Sequence, residues 1–114
     1  MQRAGWLVKL MVVDAVVATK INDMFPEEER PAALRIVETC PGHERTRVQL
    51  AMLKNSEGDL ARLADQVRLA EIDYRDVLAP AEFPRQLRTS PAETTEEMRF
   101  QDRRDYETWL GGKE

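Results

Sequence analysis

One stretch of sequence decides the fold: residues 56–84, which read SEGDLARLADQVRLAEIDYRDVLAPAEFP. Within it, apolar side chains recur at intervals of three or four residues, at Leu60, Leu63, Val67, Ala70, Tyr74 and Val77. A helix brings residues three and four apart onto one face, so this spacing predicts one long amphipathic helix over residues 57–79, ended by Pro80. We call the six positions the seam. The seam must be covered, because an isolated helix with one apolar face is not stable in water.

A second helix is predicted directly before the seam, over residues 44–54. Asn55 suits the left-handed position that ends a helix, and Ser56 is expected to cap the next one, with Asp59 as the acid of a capping box. Two helices joined by almost no loop turn back on each other as an αα-hairpin. The sequence therefore predicts an all-α fold, a small helical domain centred on an αα-hairpin with a long second helix.

The flanking sequence divides the chain into three predicted parts. Residues 26–84 form the hairpin domain, in which a short helix over residues 31–39 and a non-helical strap containing Phe83 cover the hairpin. Residues 1–25 form an apolar N-terminal segment, predicted as a helix, with two alternatives: a signal peptide, or a non-native segment if translation starts near Met24. Residues 85–114 continue the strap and end in a helix of marginal stability that stops at Leu110.

Composition limits the classes of function. The chain has 114 residues, enough for one small domain, and a net charge of −4, which argues against a general nucleic-acid binder. A helix-turn-helix reading of residues 55–58 is disfavoured, since the following helix is long and carries both signs of charge. The apolar run over residues 5–18 is shorter than the roughly 20 residues of a membrane span. The single cysteine excludes an intramolecular disulfide and favours a cytoplasmic location.

No motif for chemistry stands out, and we predict no catalytic residue, no metal and no cofactor. Cys40 and His43 form one pair of potential metal ligands, whereas a structural zinc site needs four. The three acids at residues 27–29 are better explained as helix-start electrostatics than as a cation site. Asp73, Tyr74 and Asp76 are the most distinctive cluster of ionisable side chains, and an inter-helix cleft around them is the alternative site, for a small-ligand binder or an enzyme.

Two segments carry a resemblance. Residues 44–63, ERTRVQLAMLKNSEGDLARL, and residues 73–84, DYRDVLAPAEFP, resemble a group of small bacterial helical proteins with the pattern ERxRVQLAxLKxSEGDL…DYRDVLAxAEFP and no assigned function. The resemblance covers about a third of the chain. It implies a helical fold and a bacterial cytoplasmic setting, and it implies no cofactor and no catalytic residue.

The preferred functional hypothesis is a non-enzymatic protein-interaction module that associates with itself as a homodimer. The apolar run over residues 5–18 and the seam together exceed the apolar surface that so short a chain readily covers. The seam residues Leu60, Leu63, Val67, Ala70, Tyr74 and Val77 are the predicted interaction surface, and the alternative is that the seam packs against the helix over residues 44–54 of the same chain. The partner is expected to be a protein, either another protein or a second copy. A nucleic-acid-binding regulator is the third hypothesis.

Overall fold

The computed structural model describes residues 14–40 and 44–111, and all regular structure in these two ranges is helical, which confirms the all-α prediction. The helices in these ranges are α1 (Ala15–Met24), α2 (Arg30–Glu38), α3 (Arg45–Ser56), α4 (Leu60–Asp73), α5 (Arg75–Glu82), α6 (Pro84–Leu87) and α7 (Glu96–Leu110). The 3₁₀ turns Glu27–Glu29 and Pro91–Glu93 lie before α2 and α7. The predictions for residues 1–13 and for His43 lie outside the described residues.

Helix α3 lies at the centre of the core. All six residues from Val48 to Leu53 are buried, so this helix is covered on every side, by α1, α4 and α5 among others. The one polar residue in that run, Gln49, donates a hydrogen bond from Nε2 to the backbone oxygen of Val37 in α2, at 2.8 Å. A buried amide needs such a partner, and this bond fixes α2 against α3.

Helix α1 contributes a layer of the same core. Val17 and Ile21 are fully buried, and Phe25, just after the helix, is 2% exposed. Asp14 caps the helix by accepting a hydrogen bond from the backbone N–H of Val16. Translation from Met24 would remove α1, and with it the side chains of Val17 and Ile21, from the core.

The predicted uninterrupted helix over residues 57–79 is wrong at one point, because α4 and α5 are separate helices that meet at Tyr74. The carboxylate of Asp73 accepts a hydrogen bond from the backbone N–H of Arg75 at 3.0 Å, in place of a helix carbonyl. Asp side chains compete with helix backbone bonds in this way. The α-helix is interrupted at Tyr74, and Val77 and Leu78 are buried in α5, which packs against α3.

The predicted stop at Pro80 is also wrong, because α5 continues to Glu82 with Pro80 inside it. Proline removes the hydrogen bond to the carbonyl of the residue four positions earlier, here Asp76. Both Asp76 and Pro80 are exposed, so water can hydrate that carbonyl. The opposite face of α5 is held by buried Val77 and Ala81.

The corner between α3 and α4 differs from the predicted capping. Ser56 is the last residue of α3, and Asp59 is the residue that caps α4, accepting from the backbone N–H of Arg62 at 3.0 Å. The left-handed residues are Glu57 and Gly58, not Asn55. A Cβ at Gly58, whose φ is 80°, would lie 2.9 Å from the backbone oxygen of Met24, so both conformation and space require glycine here.

Asn55 has a different role from the predicted one. It lies inside α3, and its Nδ2 donates to Gln66 Oε1 of α4 and to the backbone oxygen of Val77 of α5, each at 2.9 Å. The side-chain amide of Asn55 therefore links α3 to both α4 and α5, and its contact with α5 lies three residues after Tyr74.

The predicted non-helical strap is partly helical, because α6 begins at Pro84, directly after Phe83. Phe83 is 37% exposed rather than packed closely over the hairpin. The C-terminal helix begins at Glu96, capped by the hydroxyl of Thr95, which accepts from the backbone N–H of Met98 at 3.1 Å. This helix, α7, packs against α5 and α6.

Candidate functional site

The predicted interaction residues of the seam lie mostly inside the chain's own core. Leu63, Val67, Ala70 and Val77 are buried, and Leu60 and Tyr74 are half-buried against the core. Helices α2 and α3 pack against α4, and α3 and α4 pack against α5. The use of the seam by a partner stays a prediction, and a partner that docks on the folded chain would contact other residues.

An open groove of about 460 Å³ lies between α7 and the residues where α5 gives way to α6. We call it the α5–α7 groove. Its apolar lining comes from Phe83, Tyr106 and Leu110, and α7 adds the charged side chains of Arg99, Arg103 and Glu107. The remaining lining residues are Glu82, Gln86 and Asp102.

Asp102 is the polar anchor of this groove. Its side chain is 1% exposed and accepts four hydrogen bonds, from the backbone and side chain of Arg85 at 3.2 and 3.1 Å and from those of Gln86 at 3.2 and 2.9 Å. Burial alone raises the pKa of this carboxyl, but the hydrogen bonds from Gln86 and Arg85 outweigh it, and the net pKa is lowered. Asp102 is therefore ionised at neutral pH and holds α7 against the first turn of α6.

A second polar group contains one lining residue of the groove, Glu82. Arg47 donates from Nε and Nη2 to the two carboxylate oxygens of Glu82, at 2.8 and 2.7 Å, which joins the start of α3 to the end of α5. Lys54 donates to the backbone oxygen of Ala81 at 2.9 Å, and burial lowers the pKa of its ammonium. The acid of this group, Glu82, is thus neutralised within the chain.

Tyr106 lies between these two polar groups. Its hydroxyl is buried and finds no hydrogen-bond partner among the described residues. Burial is the main reason that the pKa of this phenol is raised, and the charge of Glu82 raises it further. Lys54 Nζ lies 5.7 Å from the centre of its ring, close enough for a cation–π contact.

The far end of α7 is fixed to α1. Lys20, only 4% exposed, donates a hydrogen bond to the backbone oxygen of Trp109, and its Nζ lies 4.4 Å from the centre of the indole ring. Tyr106 and Trp109 stack, with ring centres 5.6 Å apart. A buried ammonium that meets a carbonyl and an aromatic face is satisfied without an acid.

The outer face of α7 presents four side chains at spacings of three, four and three residues: Phe100, Arg103, Glu107 and Leu110. We call these four residues the α7 stripe. Phe100 is 50% exposed, Arg103 and Glu107 are exposed, and Leu110 is half-buried. The side chains of Arg103 and Glu107 make no hydrogen bond or ion pair with any other described residue. The stripe adjoins the groove, because three of its members also line it.

A second groove, of about 370 Å³, lies between α2 and α4. Its floor is apolar, with Ile36, Ala64 and Val67, and its rim carries Arg35 and Glu71. It is lined by none of the aromatic side chains that line the α5–α7 groove, and large aromatic and apolar anchors are what protein interfaces favour.

The alternative ligand site coincides with neither groove, because Asp73, Tyr74 and Asp76 line neither of them. Asp73 accepts hydrogen bonds from the backbone and guanidinium of Arg75, and those bonds lower the pKa of its carboxyl. Asp76 is exposed, and Tyr74 is half-buried against the core. Of the three, Asp73 is thus engaged at the junction of α4 and α5, and the use of the three as a ligand site stays a prediction.

The remaining candidates are Cys40 and His43. Cys40 is buried, and burial raises the pKa of its thiol, while His43 lies outside the described residues. Across residues 14–40 and 44–111, no group of three or more His, Cys, Asp or Glu side chains is placed to hold a metal ion. In the same ranges no helix has both the length and the apolar character needed to span a bilayer.

Comparison of the chain with protein-family models, with curated proteins and with solved structures finds no match. The resemblance to small bacterial helical proteins therefore stays a prediction, and the groove has to be interpreted from its own geometry.

Sequence reasoning missed the groove and its anchor. The signal for Asp102 was present, since this acid lies at helical spacing between Met98 and Tyr106, on the face that turns towards the chain. The groove itself had no local signal, because Phe83 and Tyr106 are brought together only by the packing of α7 against α5 and α6.

Proposed function

We propose that this chain is a non-enzymatic protein-interaction module whose docking surface is the α5–α7 groove with the adjoining α7 stripe. One observation carries the proposal. Among the described residues, the large apolar side chains that remain exposed are Ile72, Phe83, Leu87 and Phe100. Of these, Phe83 lines the groove, and Phe100 belongs to the α7 stripe, whose other three members line it. Exposed apolar groups bordered by charged side chains are typical of protein-interaction sites.

The chemistry of the groove favours a helical protein segment as its occupant. Two of its acids are already neutralised, Glu82 by Arg47 and Asp102 by Arg85, so the groove offers no array of free charge to a small ion. Among the described residues that line the groove, the charged side chains with no ion-pair partner in the described chain are Arg103 and Glu107, a helical turn apart. An amphipathic helix with an apolar anchor for the space between Phe83 and Leu110, and with one acid and one base beside that anchor, complements this pattern.

A labelled peptide tests the proposal. The probe is an alanine-rich helical peptide that carries Phe, Arg, Glu and Leu at the spacing of the α7 stripe, and the control peptide has alanine in place of Phe and Leu. We expect saturable binding of the probe by the dilute full-length chain, measured by fluorescence anisotropy, and about tenfold weaker binding of the control, because the apolar anchors supply most of the affinity.

Two variants locate the binding. Phe83→Ala removes an apolar wall of the groove and is expected to weaken binding of the probe about tenfold, whereas Ile72→Ala, at the exposed residue outside the groove, is expected to leave it unchanged. Absence of saturable binding to the wild-type chain, or equal effects of the two variants, would contradict the proposed function.

A further inference from the structure

We infer that the occupant of this surface is a second copy of the same chain, whose α7 lies antiparallel to α7 of the first copy across a twofold axis. The inference rests on the proposed function and names its partner. It keeps the self-association that the sequence suggested but moves it from the seam, which is covered within the chain, to the α7 stripe.

The order of side chains along the stripe carries the argument. A twofold axis at the midpoint of positions 103 and 107 places Arg103 of one copy opposite Glu107 of the other, and the reverse pair forms at the same time. The same axis places Phe100 opposite Leu110, since both pairs of positions share that midpoint. The stripe is therefore complementary to itself in charge and in apolar character, and a parallel arrangement would instead place Arg103 against Arg103.

The two charged groups are free to pair between copies. Arg103 and Glu107 are four residues apart on one helix, about 6 Å along its axis, yet they do not pair with each other. A base that precedes an acid is the less favourable order for an ion pair within a helix. Neither group therefore has to break an existing contact when a second copy docks.

The apolar ends of the stripe connect it to the groove. Leu110 lines the groove as well as the stripe, with Phe83 on the opposite wall. Phe100 of a second copy, opposite Leu110, reaches the mouth of the groove, so that docking covers Phe83, Phe100 and Leu110 together. A contact built on one helix and one groove is at the low end of interface sizes, so we expect a dissociation constant in the range of about 1 to 100 µM.

Charge reversal gives a direct test by sedimentation equilibrium of the full chain. Arg103→Glu and Glu107→Arg each place like charges opposite one another at both contacts, and each is expected to weaken dimerisation at least about tenfold. The double variant R103E/E107R restores both pairs and is expected to dimerise like the wild type. An equimolar mixture of the two single variants also restores both pairs, so it should form a heterodimer with about the affinity of the wild type, at least about tenfold tighter than either variant alone.

The control is Arg35→Glu, the same charge reversal at the rim of the groove between α2 and α4, and it should leave the dimer unchanged. Both stripe residues are exposed and unpaired, so their variants keep the fold, which circular dichroism checks. A wild-type chain that sediments as a monomer throughout, or single variants that dimerise like the wild type, would overturn the inference. If the chain is a monomer but still binds the labelled peptide, the proposed function holds and only the identity of the partner is wrong.

Discussion

Helices α3 and α7 are similar in length, at 12 and 15 residues, but they are held in place by different forces. Helix α3 buries every residue from Val48 to Leu53, five of them apolar. In α7 the buried residue is an acid, Asp102, while its aromatic side chains are only half-buried or exposed. Full hydrophobic burial thus fixes the centre of this fold, whereas the helix that carries the proposed interaction surface is fixed by a few polar contacts together with the partly buried side chains of Tyr106, Trp109 and Leu110.

Removal of apolar volume from α3 is the change with the largest expected effect. Leu53→Ala leaves a cavity at a side chain that is fully buried, and it should lower the free energy of unfolding by about 3–4 kcal/mol. Urea unfolding followed by circular dichroism measures the loss. Leu87→Ala, at a leucine that is 57% exposed, is the matched control and should change the free energy of unfolding by no more than about 0.5 kcal/mol. Equal losses would show that α3 is not the centre of the core.

Removal of the polar anchor of α7 should have a smaller and more local effect. Asp102→Ala leaves the N–H groups of Arg85 and Gln86 without their acceptor, and we expect a loss of about 2 kcal/mol. Trypsin should then cleave faster after Arg103 and Arg104. Asp105→Ala is the control, since this half-exposed acid pairs with the same Arg85 side chain at 2.7 Å, and its loss should cost less than about 1 kcal/mol. Slow cleavage of the Asp102 variant would mean that apolar contacts hold α7.

Lowering the pH should weaken the same contact, because it protonates the carboxylate of Asp102. The pKa of Asp102 is lower in the folded chain than the ordinary value for aspartate, so its stabilising contribution is present above that ordinary value of about 4 and is lost as pH falls through the folded-state pKa. The difference in free energy of unfolding between wild type and the Asp102→Ala variant should therefore shrink as the pH is lowered from 6 to 3. A difference that is independent of pH would mean that Asp102 is not ionised in the folded chain.

The sequence was sufficient for the hairpin because its signals are local and repeated. The spacing of Leu63, Val67 and Ala70 predicted the buried face of α4, and these residues are buried. The interruption at Tyr74 was not predicted, because the same spacing continues through it to Val77. The interruption depends on one bond, from the backbone N–H of Arg75 to the Asp73 carboxylate, and on the packing of α5 against α3.

The α5–α7 groove was harder to predict from the sequence than the hairpin. It depends on contacts between distant parts of the chain, such as Lys20 with Trp109 and Arg85 with Asp102. No periodic pattern reports such contacts, and the apolar content of α7 predicted only a helix of marginal stability. The four positions of the α7 stripe are visible in the sequence, but their exposure is known only once the inward face of α7 is placed.

Native-state hydrogen exchange tests the contrast between the two helices most directly. Because α7 is held by polar contacts and only partly buried apolar side chains, its amides should exchange through a local opening whose free energy is at least about 2 kcal/mol below that of the α3 amides, which exchange only on global unfolding. At protein concentrations below the dissociation constant of the dimer, the difference between the opening free energies of α3 and α7 should be largest. Equal opening free energies in α3 and α7 at low protein concentration would contradict the account, because α7 would then belong to the same cooperative unit as the hydrophobic centre.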